Sequence, residues 1–113
     1  MIVRNIEDKE VLDTTYIAHG GAIAQMILDR RVLKEIGFLA CASLEKGKKI
    51  ETHVDPMEEI YFIVNGEGEM TVGDETRQVV RGDAIWIPAG SAHSLLNTGQ
   101  NVCFILVVAS PAW

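Results

Sequence analysis

Between Phe38 and Val108 the chain is interrupted by turns so regularly that few folds stay open to it. Short apolar or alternating runs occur at Phe38–Leu44, Ile60–Val64, Glu67–Val72, Thr76–Val80, Ala84–Ile87, His93–Asn97 and Val102–Val108. Between them lie Glu45-Lys46-Gly47-Lys48, Gly73-Asp74, Arg81-Gly82-Asp83, Pro88-Ala89-Gly90 and Thr98-Gly99-Gln100-Asn101. Every one of these separators holds a glycine, the residue that tight turns demand. Gly73-Asp74 has the form of a two-residue hairpin turn. Gly66 and Gly68 mark a bend or bulge between Ile60–Val64 and the run that follows. Runs this short, arriving at this rhythm, predict an all-β protein built as an antiparallel sandwich or barrel.

The first third is less decided. In Ile23–Glu35, the residues Ile23, Met26 and Ile27 suit helical spacing, whereas Ala24, Met26 and Leu28 suit strand alternation. Short apolar runs do not separate the two by periodicity. The strand reading agrees better with an otherwise β chain. A turn would follow at Asp29-Arg30-Arg31, whose arginines read as a solvated tip.

A length of 113 residues, 48% of them hydrophobic, suits one domain (1–113) around one core. That much apolar material on so small a chain also predicts a homodimer. A net charge of −6 and the lack of any basic run exclude a nucleic-acid partner, which needs phosphate neutralisation. Cys41 and Cys103 each sit in an apolar run without a CxxC spacing, and read as buried, reduced core thiols. The start, MIVRNIEDKE, lacks signal-peptide shape, and the longest apolar run, Val102–Ala109, is too short for a bilayer. The expected location is cytoplasmic, with no membrane partner. Trp86 and Trp113 are expected to cover the core or a dimer face.

One stretch concentrates hard ligands: His53, Asp55, Glu58 and Glu59 lie just ahead of the apolar run Ile60–Val64. His53 and Asp55, two apart, point to one side of a strand. A straight chain would hold His53 and Glu59 roughly 20 Å apart. They can share an ion only if the chain reverses, and Asp55-Pro56-Met57-Glu58 supplies a turn with proline where its fixed φ fits. Glu59 then opens a strand with Tyr61 and Ile63 on its own face. Glu58 reads as a solvated turn residue. A further ligand must come from elsewhere. His93 follows a second tight turn and opens a strand whose face continues through Leu95 and Asn97. His19, beside Gly20-Gly21, reads as a surface-loop residue.

Together these two segments resemble the paired motifs of the cupin superfamily. Gly47, His53, Asp55, Glu59 and Gly66 fall at the positions of the first motif, with Asp55 where the family has a second histidine. Gly82, Pro88, Gly90, His93 and Asn97 match the second motif throughout. The resemblance implies a double-stranded β-helix, or jelly-roll, cupin barrel, with motif one at Gly47–Gly66 and motif two at Gly82–Asn97. It implies a metal site in the barrel mouth, with His53, Glu59 and His93 as ligands and Asp55 at the fourth position.

Aspartate is shorter than histidine. Asp55 therefore either reaches the ion itself, which is favoured, or stands behind the ligands and orients a histidine. The ion would be one divalent transition metal per chain: iron, manganese, nickel or zinc. The expected function is that of a small metal-binding cupin acting on, or binding, a small polar metabolite such as a sugar or organic acid. If it is an enzyme, the family suggests an isomerase, a lyase or decarboxylase, or a dioxygenase, with Asp55 or Tyr61 as acid–base partner. The alternative is a non-catalytic binding or sensory cupin, with or without metal.

Overall fold

The structure is a computed structural model and describes residues 1–111. One short helix, α1 (Lys9–Leu12), precedes ten strands: β1 (Tyr16–Ala18), β2 (Ala22–Leu28), β3 (Phe38–Leu44), β4 (Lys49–His53), β5 (Glu58–Asn65), β6 (Glu67–Val72), β7 (Glu75–Val80), β8 (Ala84–Ile87), β9 (His93–Leu96) and β10 (Cys103–Ser110). They form two antiparallel sheets, six strands in the order β1-β2-β3-β10-β5-β8 and four in the order β4-β9-β6-β7. This is the expected all-β jelly roll. Trp113 lies outside the described residues.

Alternation decides which side chains meet between the sheets. Along β5, Glu59, Tyr61 and Ile63 are buried while Glu58, Ile60 and Phe62 are exposed. Along β10, Cys103, Ile105, Val107 and Ala109 turn inward. Leu44, Ile63, Ile87, Leu95 and Ile105 are at most 1% exposed and form the centre of the core. Removing one such side chain to Ala costs about 2–5 kcal/mol, because the lost transfer energy is joined by the cavity left behind. Both cysteines are buried free thiols, as expected.

The chain must leave one sheet for the other between β5 and β6, and Gly66 is the corner. Its φ is +94°, and a Cβ there would lie 2.8 Å from the Cys103 Cα. Only glycine satisfies both the left-handed backbone and the close approach to β10.

The ambiguous stretch at residue 23 resolves as strand. Ala22 and Ala24 are buried and Ile23 between them is exposed. Its pairing with β3 shifts register between Met26 and Leu28. The bulge reverses the phase of the alternation. Ile27 faces outward in phase with Ile23, and the bulge keeps Leu28 on that outer face as well, where both pack in the cluster with Val11 of α1 and Cys41. After β2, Asp29 accepts from the Arg31 backbone and side chain at the expected turn.

The helix α1 and the strand β1 were not predicted. Val11 nevertheless is fully buried, so α1 acts as a cover for the β2–β3–β10 part of the outer face. Trp86 does not cover the core. It is 62% exposed on the uncovered part of that face, and its indole N–H donates to Glu58 at 2.7 Å.

Candidate metal centre

His53 ends β4 and His93 opens β9, and the two are cross-strand partners in the smaller sheet. Opposed residues of an antiparallel pair hold their Cβ atoms about 4.5–5.5 Å apart, so this register alone brings the imidazoles together. Glu59 arrives from β5 of the larger sheet. The crossover carrying Asp55 closes the gap between the sheets, and Gly90 N–H donates to the Asp55 carbonyl at 2.8 Å, tying the two motif loops to each other. The reversal expected between Asp55 and Glu59 is therefore present. His53, Asp55, Glu59 and His93 each offer one donor atom, and all four atoms lie within 4.8 Å of one another.

Hydrogen bonding fixes the imidazoles. His53 Nδ1 lies 2.8 Å from the Glu51 carbonyl, and His93 Nδ1 lies 2.9 Å from the Ser91 carbonyl. A carbonyl only accepts, so each Nδ1 carries the hydrogen and each Nε2 presents a lone pair to the cluster. Asp55 Oδ2 stands 3.2 Å from His53 Nε2 and 3.9 Å from His93 Nε2. Glu59 Oε1 stands 3.6 Å from His93 Nε2. Neither Glu59 Oε1 nor His93 Nε2 has a hydrogen-bond partner, although both are buried. Two buried acceptors facing each other are costly unless a proton or a cation lies between them.

The spacing suits a cation. Donors bound at about 2.0–2.3 Å stand about 3 Å apart when neighbouring and about 4.3 Å apart when opposite. The observed separations fall around those values. Two imidazoles and two carboxylates suit a divalent transition ion. Asp55 is within the same span as the other three, despite its shorter side chain.

Electrostatics points the same way. Burial, helped by the neighbouring Asp55, pushes the Glu59 carboxyl up to about 8. Burial also acts to raise Asp55, but hydrogen bonding to Glu59 and the nearby His53 and His93 outweigh it and hold its carboxyl below the ordinary value. His93 is depressed, chiefly by burial. It is therefore a neutral imidazole at pH 7, the form that binds metal.

Three further side chains surround the cluster. Tyr61, on the Glu59 face as expected, is 3% exposed and sets its ring edge-on to His93 with centroids 5.7 Å apart. Its phenol is raised by burial and by Glu59, and stays protonated. His19 was expected in a surface loop. It is exposed, but its ring stacks on His53 at 3.4 Å with an interplanar angle of 6°. The reason lies in the two glycines that follow it. A Cβ on Gly21 would lie 2.3 Å from the Lys49 carbonyl oxygen. The loop thus rests directly on β4, where the His19 carbonyl accepts from Glu51 N–H at 2.8 Å. His19 itself has a φ of +47°, unusual for a residue with a side chain. Tyr16 on β1 lacked any motif signal and also lines the cavity.

Asn97 serves structure. It is buried, donates to the Leu44 and Asn101 carbonyls at 2.8 Å each, and accepts from Gly99 N–H at 2.9 Å. The cluster opens into a cavity of about 310 Å³ between the sheets.

A family model described as "Cupin domain" matches residues 41–109. An uncharacterized protein of Streptomyces coelicolor is 34% identical over 100 residues, spanning 88% of this chain and 90% of its own. The crystal structure of a predicted oxalate decarboxylase from Thermotoga maritima superposes with a TM-score of 0.83 at 25% identity, over 98% of this chain and 99% of that one. A Streptococcus pyogenes protein of unknown function gives 0.70 at 30% identity, over 100% and 98%. The chain belongs to the cupin family.

Proposed function

We propose that the protein binds one divalent transition ion through His53, Asp55, Glu59 and His93, and uses it to hold an oxygen-bearing small molecule in the cavity beside it. The observation that carries this reading is the buried, unpartnered pair of Glu59 Oε1 and His93 Nε2, facing each other at 3.6 Å. When bound, such an ion supplies Lewis acidity: it polarises a ligand carbonyl or hydroxyl. The chain's own residues do the rest. The Glu51 and Ser91 carbonyls lock both imidazole tautomers. The two carboxylates balance the charge of a divalent cation, and Tyr61 keeps a protonated phenol beside it. The Thermotoga maritima protein is described as a predicted oxalate decarboxylase, which agrees with a small-molecule site here.

The direct test is metal content. Protein prepared without chelator should hold about one ion per chain by elemental analysis. His93→Ala should hold less than a tenth of that, since the ligand lost is the one that faces both carboxylates. Equal retention by His93→Ala overturns the assignment.

We further propose a homodimer joined through the part of the larger sheet that α1 leaves bare. Ile60 and Trp86 are paired neighbours there, Phe62 lies beside them, and all three are at least 40% exposed. The free buried thiols suit a reducing compartment and support a cytoplasmic location. Among the described residues no helix is long and apolar enough to cross a membrane.

A further inference from the structure

The cavity next to the ligand cluster has a composition that narrows what can enter it. Its inner wall is the six-stranded sheet, and the strand register sets its rows. One row runs Tyr16, Ala24, Ala42, Ile105 across β1, β2, β3 and β10. The next runs Met26, Ala40, Val107, Tyr61 across β2, β3, β10 and β5. Where the core elsewhere uses leucine and isoleucine, β2 and β3 put alanines opposite each other, and the space between the sheets stays open. The charged and imidazole groups of the lining are Asp55, Glu59, His53 and His19, and Tyr16 and Tyr61 add two phenols.

Among the described residues no lysine or arginine lines this cavity. A divalent ion held by two carboxylates is already neutralised. A dianion would therefore meet no uncompensated positive charge. A sugar would find partners at the cluster, His19, Tyr16 and Tyr61, but the alanine, valine and isoleucine walls would leave its remaining hydroxyls unpaired, which is costly. An apolar body loses nothing on these walls. An engineered cavity of about 150 Å³ admits one benzene ring, so about 310 Å³ has room for two fused rings or a ring with an alkyl arm.

We infer that the ligand is a mostly apolar molecule, with one or two rings, that presents a small oxygen-bearing head to the ion and buries its body against the alanine rows of β2 and β3. This rests on the metal reading above, and its test separates the two. Metal content is measured first. Calorimetry on the metal-loaded protein then compares 2,3-dihydroxynaphthalene, catechol and oxalate. The first two share one head and differ by a ring.

A single methylene in an apolar pocket changes binding by roughly tenfold or more. The naphthalene diol should thus bind at least tenfold tighter than catechol and tighter than oxalate. Ala24→Leu, which fills the row, should remove that preference and leave metal content unchanged. Ala42→Val, a smaller intrusion on the facing strand, should reduce it and covers the case in which Ala24→Leu fails to fold. Equal binding of the two diols, tighter binding of oxalate, or a preference untouched by a folded variant overturns the inference. If the chain holds no metal, the metal reading fails by itself. The cavity is then probed with 1-naphthol against phenol, where tenfold discrimination sustains the inference and equal binding overturns it.

Discussion

Glu59→Gln isolates what the buried cluster costs the fold when it holds no ion. In the folded chain the Glu59 carboxyl is pushed up to about 8 by burial and by Asp55, from an ordinary value of 4.5. A group raised in this way keeps its proton in the folded state where the unfolded chain has released it. Its contribution to stability is complete below about pH 4.5 and is lost as pH rises through 8. A shift of this size, at 1.36 kcal/mol per unit, sets an upper bound of roughly 5 kcal/mol. Asp55, held below its ordinary value, is ionised in both states above pH 5 and leaves the slope there unchanged, so the loss between pH 5 and pH 9 is at most about 4 kcal/mol.

Glutamine has the same shape and cannot ionise. Urea unfolding in the presence of chelator, at pH 5.5, 7 and 8.5, should show wild type falling relative to Glu59→Gln as pH rises. The variant should be the more stable of the two at pH 8.5, although it is the weaker metal binder. Titrating groups that do not touch residue 59 cancel in the difference, and Asp55, which does, is already ionised over this pH range. Parallel stability profiles would refute the reasoning. They would mean that Glu59 is already ionised and paired without a cation.

Three more outcomes are expected. Metal affinity should rise about tenfold per pH unit from pH 6 towards 8, because binding must displace the Glu59 proton; calorimetry in buffers of different ionisation enthalpy should count about one proton released at pH 7. Asn97→Ala removes three hydrogen bonds and strands the buried Leu44 carbonyl, so it should cost about 3–5 kcal/mol by urea unfolding while a loss under 1 kcal/mol would contradict its role. Phe62→Lys combined with Trp86→Ser should turn a dimer into a monomer by sedimentation with little change in metal content, if the uncovered sheet face joins two copies.

Most of the sheet was legible because it depends on local rules, and the four-residue cluster because the resemblance to the paired cupin motifs carries it. Turn chemistry marked the strands from Phe38 onward, and the fixed spacing of His53, Asp55, Glu59 and His93 could be read directly. The first third was not legible, since its meaning is tertiary. The bulge at Met26–Leu28 changed the phase of the alternation within a single strand, and no local pattern announces that. The helix α1 has only Val11 to bury and exists because an outer sheet face is there to receive it. His19 reached the cluster by the packing of its loop on β4. Gly20-Gly21 was a visible sign of that close approach, but it named no destination. Trp86 shows the converse: a large apolar residue on the outward phase of its strand faces solvent whatever its hydrophobicity.

The proposed cation joins residues of both sheets. Anomalous diffraction at the absorption edge of the metal found by elemental analysis tests it most directly. One strong peak per chain is expected, at about 2.0–2.3 Å from His53 Nε2, His93 Nε2 and a Glu59 oxygen, with Asp55 Oδ2 at the same range. A peak elsewhere, or a stoichiometric metal that leaves Glu59 and His93 facing each other unbridged, would contradict it.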